Sequence, residues 1–196
     1  PALWPEDRRK TLADAMGIKA STIVSHKNIG LFDVIVTNPP FGAKIPINDR
    51  QILEQFDLAH TWSFDPKNGW RMSEQLRSSV PPEQIFIERI IQLLKPGGRA
   101  AIVLPDSIFS SPGLEFIRVW LLRNTRIVAS IDLHADTFQP HNGTQCSILF
   151  VVKKTKEEIE EETRLAQLVD YDVFMAMIDH IGHDKRGNVI YKRDDE

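Results

Sequence analysis

Several features are scarce or missing in this 196-residue sequence, and each absence narrows what the protein can be. There is one cysteine, so an internal disulfide and a CxxC metal site are excluded, and a reducing cytoplasm is the expected compartment. No run approaches the roughly 18 consecutive apolar residues of a membrane-spanning helix. The formal net charge is only -3, which gives no sign of the basic face of an independent nucleic-acid-binding domain.

A glycine-rich nucleotide-binding turn is also missing. The adjacent glycines Gly97 and Gly98 follow a predicted helix and precede a predicted strand, which is the reverse of the order that such a turn requires. We therefore interpret the stretch Lys95-Pro96-Gly97-Gly98 as a helix stop, because proline cannot continue a helix and glycine tolerates a positive φ at its exit.

The apolar pattern predicts a single α/β domain over residues 1–196. Strands and helices alternate, which indicates right-handed crossovers and a largely parallel sheet whose last strand is reversed. Ser110 and Ser111 are expected to cap the third helix, with Pro112 in its first turn. Helices are predicted at 8–17, 84–94 and 114–123, and strands at 21–25, 32–37, 99–104, 127–133 and 145–153.

Two segments lack a sustained pattern. Residues 43–82 are predicted to form a long loop, whose aromatic residues Trp62, Phe64 and Trp70 either belong to a lid or partner-contact segment or pin the loop to the core. Residues 154–196 are predicted to form a charged excursion and a tail. The charge-dense run 153–164 is either a solvated helix or a mobile excursion. The tail, with an apolar stretch at 173–178 and a polar end, adds an edge strand or docks on a partner.

The end of the second strand carries the chemistry. Residues 32–42 read FDVIVTNPPFG, so an amide, two rigid prolines and an aromatic ring follow the strand directly. Asn38 offers an acceptor, the prolines restrict the backbone and leave a carbonyl available, and Phe41 offers a stacking face. This combination suits a planar group with an exocyclic amine, whose lone pair is freed for attack on an electrophilic methyl when its hydrogens are bound.

These residues resemble the S-adenosylmethionine-dependent amino-group methyltransferases, whose signature is Asn/Asp/Ser-Pro-Pro-aromatic. Four stretches, FDVIVTNPPFG, LLKPGGRAAIVLPDSIF, NGTQCSILFVVKK and IGHDKRG, resemble the methylase subunit of type I restriction-modification systems. The resemblance implies a Rossmann-like fold and transfer of a methyl group from S-adenosylmethionine to the N6 amine of a flipped adenine in DNA. It implies DNA, a specificity subunit and a restriction subunit as partners, and neither a metal nor a membrane.

The resemblance also assigns residues. Asn38, Pro39, Pro40 and Phe41 are the expected catalytic motif, with Asn38 and Pro39 also at the edge of the cofactor site. Gly42 and Asp106 are candidate substrate contacts, and a helix cap is the alternative for Asp106.

One departure from the family pattern concerns the cofactor. The expected Asp-Pro-x-x-Gly-x-Gly motif precedes NPPF in the family and does not occur in this sequence. The resemblance therefore implies the carboxyl-terminal part of a methylase domain, lacking the residues that hold the methionine and ribose. We expect such a chain to bind cofactor poorly and to be inactive alone.

Other interpretations of the motif remain open. Similar motifs occur in methyltransferases for ribosomal RNA guanine and for protein glutamine, and a non-catalytic assembly module is a third alternative. His180 and His183 are expected at the surface rather than on a metal. His134, Asp136 and His141 either line the cleft or cap loops, and Cys146 is expected in the core.

Overall fold

The computed structural model describes residues 6–15, 17, 29–41 and 46–191. Helices longer than one turn are α1 (Glu6–Ala15), α3 (Pro82–Leu93), α5 (Glu115–Asn124) and α6 (Lys156–Leu165); the short helices are α2 (Arg50–Leu53) and α4 (Ser107–Ser110). The strands are β1 (Phe32–Thr37), β2 (His60–Asp65), β3 (Gly69–Leu76), β4 (Leu94–Pro105), β5 (Thr125–Asp132), β6 (Cys146–Lys153) and β7 (Phe174–Met177). The strand predicted at 21–25 lies outside the described residues. None of the described helices is long and apolar enough to cross a membrane.

A five-stranded sheet organises the chain in the order β1-β4-β6-β5-β7. β1 pairs with β4 in parallel and β5 pairs with β7 in parallel, whereas β6 runs antiparallel to both of its neighbours. The predicted α/β sheet with a reversed last long strand is thus confirmed, and the tail supplies the edge strand β7. Because β1, β4, β5 and β7 share one direction, their carboxyl ends meet at the same edge of the sheet, which we call the carboxyl edge. The opposite edge is the amino edge.

One face of this sheet packs against α3 and α5. Side chains alternate along the strands, so that Ile102 and Leu149 are buried against Ile87 and Ile117 of the helices. On the other face, Val34 and Val36 of β1 remain 62% and 78% exposed. The described helices α3 and α5 therefore close only one side of the sheet.

Helix α3 ends just before the stretch 95–98 that was predicted to stop it. α3 begins at Pro82, which has no backbone N–H to lose, and ends at Leu93, before the extended residue Leu94. The positive φ of Gly97, +76°, therefore occurs within β4 and not at the helix exit, as was predicted. The backbone then lies very close to β1, because a Cβ built on Gly98 would meet Phe32 O at 3.1 Å and Asp33 O at 3.2 Å. Residues 94–98 belong to β4 rather than to a loop, which extends the strand beyond its predicted start.

The prediction of a long loop over 43–82 is wrong for its described part. α2 and a 3-10 turn at Asp57–Ala59 lead into an antiparallel hairpin of β2 and β3, joined at the turn Pro66–Asn68. Trp62 stacks on Phe116 of α5 at a centroid distance of 5.9 Å, and Trp70 lies 6.4 Å from the same ring. Trp62 and Trp70 thus pin this segment to the helix layer, which was the second of the two predicted alternatives, whereas Phe64 is exposed and packs on Trp70.

The charged run after β6 is a helix with a buried anchor. Thr155 and Glu158 form a capping box at the start of α6. Glu162 is 8% exposed and accepts hydrogen bonds from Lys154, which is 3% exposed, at 2.8 and 2.6 Å. The run is therefore not simply solvated, because one of its carboxylates completes an ion pair inside the protein.

Further charged groups are buried on the side of the amino edge. Glu88 of α3 is 2% exposed and accepts hydrogen bonds from the backbone N–H groups of Asp57 and Leu58 at 2.9 and 2.8 Å. Burial raises the pKa of Glu88 from 4.5 to about 7, even though those two hydrogen bonds oppose the shift. Lys153 donates to Leu94 O at 2.8 Å, and burial lowers the pKa of this lysine to about 8.

The predicted serine caps are not formed. Helix α5 starts after a 3-10 turn at Pro112–Leu114, and neither Ser111 nor Leu114 makes a side-chain capping hydrogen bond. Ser110 Oγ instead donates to Asp106 O at 3.0 Å. The hydroxyl group of Ser110 therefore stabilises the turn after β4 rather than the following helix.

Candidate active site

The NPPF motif lies directly after β1, at the carboxyl edge. Thr37 pairs with Ile102, so β4 runs on beside the motif to Pro105. Pro39 is buried, whereas Asn38 and Pro40 are exposed and Phe41 is half-buried. The buried proline fixes the backbone while the amide beside it faces outwards, as a group that binds a ligand must.

Phe41 contacts a second aromatic ring that the sequence did not reveal as part of the site. Phe138, in the connection from β5 to β6, lies 6.4 Å from Phe41 between ring centroids, with an angle of 72° between the ring planes. This is an edge-to-face contact. The signal in the sequence is an aromatic residue beside the polar turn Gln139-Pro140-His141-Asn142-Gly143, which follows a strand at the carboxyl edge.

The connection 133–145 is anchored at both ends. Gln145 O accepts a hydrogen bond from Asp106 N at 3.0 Å, and Gln145 Nε2 donates to Asp132 Oδ1 at 3.0 Å and to Leu133 O. Thr137 Oγ1 donates to His134 O at 2.6 Å, and the Gln139–Pro140 peptide is cis. These bonds tie the segment carrying Phe138 to the ends of β4 and β5.

Asp106 stands at the end of β4, at the same edge. Its carboxylate oxygen Oδ1 accepts a hydrogen bond from Ser147 Oγ at 2.9 Å. It occupies the position before α4 but makes no side-chain capping bond, so the alternative role as a helix cap is not realised. Gly42, the other candidate substrate contact, lies outside the described residues.

The cysteine near this edge is a core residue, as predicted. Cys146 is 2% exposed, and burial, together with the charge of Asp106, raises the pKa of its thiol to about 11. The thiol is therefore protonated at neutral pH and is a poor nucleophile.

His134, His180 and His183 surround a second cavity at the carboxyl edge, whereas His141 does not line it. His134 and Asp136 line a cavity of about 920 Å³ together with residues of 179–191, including His180 and His183. His134 Nδ1 accepts a hydrogen bond from Asp136 N at 3.1 Å, and His183 Nδ1 lies 2.8 Å from Asp184 O. Within the described ranges, no three His, Cys, Asp or Glu side chains are grouped closely enough to hold a metal ion.

The residues at this edge fit one side of a cofactor site only. Asn38 is exposed and can hydrogen-bond a ligand, but the sequence has no glycine-rich strand-to-helix turn to hold a nucleoside. Gly30, which precedes β1, and Gly97, in the first half of β4, have a positive φ and lie towards the amino edge. The described residues at the carboxyl edge can therefore bind a polar, planar group, but they do not form a cradle for a nucleoside.

Comparison with known proteins identifies relatives. Residues 9–179 match the family model "N-6 DNA Methylase". The chain is 30% identical over 128 residues to the type I restriction enzyme EcoEI methylase subunit of Escherichia coli, which covers 64% of this chain and 22% of that protein. It is 28% identical over 130 residues to the StySPI methylase subunit of Salmonella potsdam, covering 66% and 20%. The chain thus spans about a fifth of the length of these relatives.

A solved structure supports the fold. The chain resembles a Listeria monocytogenes protein described as a class I S-adenosylmethionine-dependent methyltransferase, with a TM-score of 0.54 and 19% identity, over 76% of this chain and 37% of the other. Because the family model matches most of the sequence, the relationship does not depend on this structural likeness alone. The chain belongs to the N-6 DNA methylase family.

Proposed function

We propose that this chain forms the base-handling part of a DNA adenine-N6 methyltransferase that acts as the methylase subunit of a type I restriction-modification system. The observation that carries the proposal is the exposed Asn38 amide beside the buried Pro39, at the edge of the sheet where α/β proteins bind ligands. The family and the similarity to type I methylase subunits support the choice of adenine in DNA.

Asn38 acts on the target amine. Its amide oxygen accepts one N–H of the exocyclic amine, and a proline carbonyl of the motif accepts the other. These bonds draw the nitrogen towards tetrahedral geometry and make its lone pair available. S-adenosylmethionine, the cofactor that the family implies, supplies the electrophilic methyl group.

Phe41 and Phe138 together hold the flipped base. Their centroids are 6.4 Å apart in an edge-to-face contact, so the rings leave no slot for a base between two parallel faces. The base therefore stacks on the free face of Phe41, and Phe138 keeps that ring in place. Stacking of a base on an aromatic ring is worth about 1–3 kcal/mol, which helps to offset the cost of flipping.

The composition supports a model in which partner subunits supply much of the DNA binding. A net charge of -3 gives this chain little general attraction for DNA. We propose that a specificity subunit selects the DNA sequence, and that a restriction subunit belongs to the same assembly. Because the cofactor cradle is absent from this sequence, the chain on its own is expected to be inactive.

The test replaces the acceptor amide. In the native assembly, Asn38→Ala is expected to reduce methyl transfer from labelled S-adenosylmethionine to DNA by at least about a hundredfold, the usual effect of removing one polar group that contacts the reacting centre. The matched control is Asn68→Ala, since Asn68 is exposed on the β2–β3 hairpin and bonds only to Asp65. Unchanged transfer by the Asn38 variant, with the control also active, would refute the assignment.

A further inference from the structure

The tail after β7 forms a rigid turn at the carboxyl edge. Ile178 N donates to Asp132 O, so the tail leaves the sheet beside β5, and His183 and Val189 form an antiparallel bridge. Between them, Asp184 Oδ1 accepts hydrogen bonds from Arg186 N and Asn188 N at 2.8 and 2.9 Å. Backbone bonds between Asp184 and Asn188 close the same turn.

This turn packs against the segment that carries Phe138. A Cβ built on Gly187 would meet Pro140 Cδ at 3.3 Å, and the φ of Gly187 is +85°, so glycine allows both the turn and the close approach. Pro140 lies in the same connection as Phe138, which contacts Phe41. The connection 133–145 therefore contacts both the tail turn and the NPPF motif.

The tip of the turn presents two cations. Lys185 and Arg186 are both exposed, and neither forms an ion pair with a carboxylate in the described part of the chain. The carboxylate of Asp184 points into the turn, where hydrogen bonds from Asn188 lower its pKa. Asp184 is thus held in its charged form, so the turn 184–188 carries two positive side chains and one negative side chain.

The neighbouring charges decide where an anion is accepted. The cavity beside the turn is lined by charges of both signs: Asp136, Asp179 and Asp184 are acidic, and Lys185 and Arg186 are basic. A phosphate is therefore expected to contact the two exposed basic side chains at the tip of the turn and not the carboxylates of the lining.

We propose that Lys185 and Arg186 contact the phosphate backbone of DNA next to the flipped base. This inference rests on the proposed function and adds a surface to it. The contact is independent of base sequence, because phosphates position a duplex and carry no base identity. A rigid turn loses little conformational freedom on binding, which favours its use as a fixed point beside the active site.

The experiment measures DNA binding by the native assembly with fluorescence anisotropy, on duplexes with and without the target site, over roughly 50 to 200 mM salt. Lys185→Ala/Arg186→Ala is expected to weaken binding to both duplexes alike and to reduce the slope of log K against log salt by about 2. In methylation assays, KM for DNA rises and kcat at saturating DNA stays unchanged. The matched control, Lys156→Ala/Arg164→Ala, removes the same charge from α6 and leaves the slope unaltered.

A second variant tests whether weaker DNA binding comes from misfolding rather than from the lost charge. Lys185→Gln/Arg186→Gln keeps the side-chain length without the charge, and its thermal midpoint is compared with that of the wild type. A wild-type salt slope in a folded glutamine variant overturns the proposed surface, and so does tighter binding of a matched RNA duplex than of DNA. Failure of the wild-type assembly to methylate DNA overturns the proposed function instead, so the two failures are distinguishable.

Discussion

The two edges of the five-stranded sheet use polar residues in opposite ways. At the carboxyl edge, Asn38 is exposed. Towards the amino edge, Glu88, Lys153 and Lys154 are each less than 9% exposed, and each is hydrogen-bonded to backbone or to another charged group. Buried charges must be paired because an unpaired one costs several kcal/mol, whereas an exposed amide is free to meet a ligand.

This difference separates stability from chemistry within one small sheet. Substitutions towards the amino edge are expected to change the free energy of unfolding and leave the chemistry of a folded enzyme intact. Substitutions of exposed residues at the carboxyl edge are expected to change methyl transfer and leave the free energy of unfolding nearly unchanged. The following substitutions test this separation.

The largest effect is expected at the buried ion pair. Lys154→Met leaves Glu162 buried without its cation and should lower the free energy of unfolding by about 3–5 kcal/mol, as measured by denaturant titration. Lys156→Met is the control, since the Lys156–Glu160 pair on the same helix is exposed and should matter little. Equal effects of the two substitutions would show that burial does not set the importance of the pair.

The next effect concerns Glu88 and pH. Its pKa is near 4.5 when unfolded and about 7 when folded, so the folded state holds this proton more tightly. The contribution of Glu88 to stability is therefore complete below about pH 4.5 and is lost as the pH rises through about 7, on the order of 3 kcal/mol. As the pH rises from 5 to 8, the free energy of unfolding of the wild type should fall relative to that of Glu88→Gln, as measured by denaturant titration at each pH. Parallel pH profiles for both proteins would contradict this account.

A smaller effect is expected at Phe138, on the other edge. Phe138→Ala removes the ring that holds Phe41 and should raise KM for DNA roughly tenfold, in line with a stacking contribution of about 1–3 kcal/mol per base. Phe138→Leu, which fills space without an aromatic edge, should recover part of the loss. A large fall in thermal stability with unchanged KM would place Phe138 with the structural residues instead.

The smallest effect distinguishes two roles for Asp106. Ser147→Ala and Asp106→Ala both remove the hydrogen bond between these residues and should each cost about 1 kcal/mol of stability. If Asp106 also contacts the substrate, only its own substitution lowers methyl transfer. Identical transfer rates in the two variants would remove Asp106 from the site.

The main sheet was predictable because its strands and helices carry local apolar patterns. The run Phe32–Thr37 and the spacing of Ile87, Ile90 and Ile91 indicate a strand and an amphipathic helix without knowledge of their partners. The burial that the run suggested for this strand is not found, because no described helix covers Val34 and Val36. The hairpin of β2 and β3 was missed because its aromatic residues are explained only by Phe116, which is distant in the sequence. The dipeptide Asn68-Gly69 between Phe64 and Trp70 was the available signal.

The site was predictable to the extent that its chemistry is contiguous. Asn38 to Phe41 are consecutive and follow a predicted strand, so their place at the end of that strand could be inferred from the sequence, whereas their catalytic role stays a prediction. Phe138 and the turn at Asp184 are brought to the same edge by the order of the strands, and no local pattern reports that order. The Lys154–Glu162 pair was hidden for a similar reason, since it lies in a run that resembles a solvated helix.

The reversal of β6 leaves this architecture open to change. Because β5 and β6 run in opposite directions, both ends of the connection 133–145 lie at the carboxyl edge, and no crossover helix is needed. Inserted residues there only lengthen a surface connection, at a closure cost that grows slowly with length. Proteins with this sheet order can thus differ in the length and contacts of this connection while keeping the same five strands.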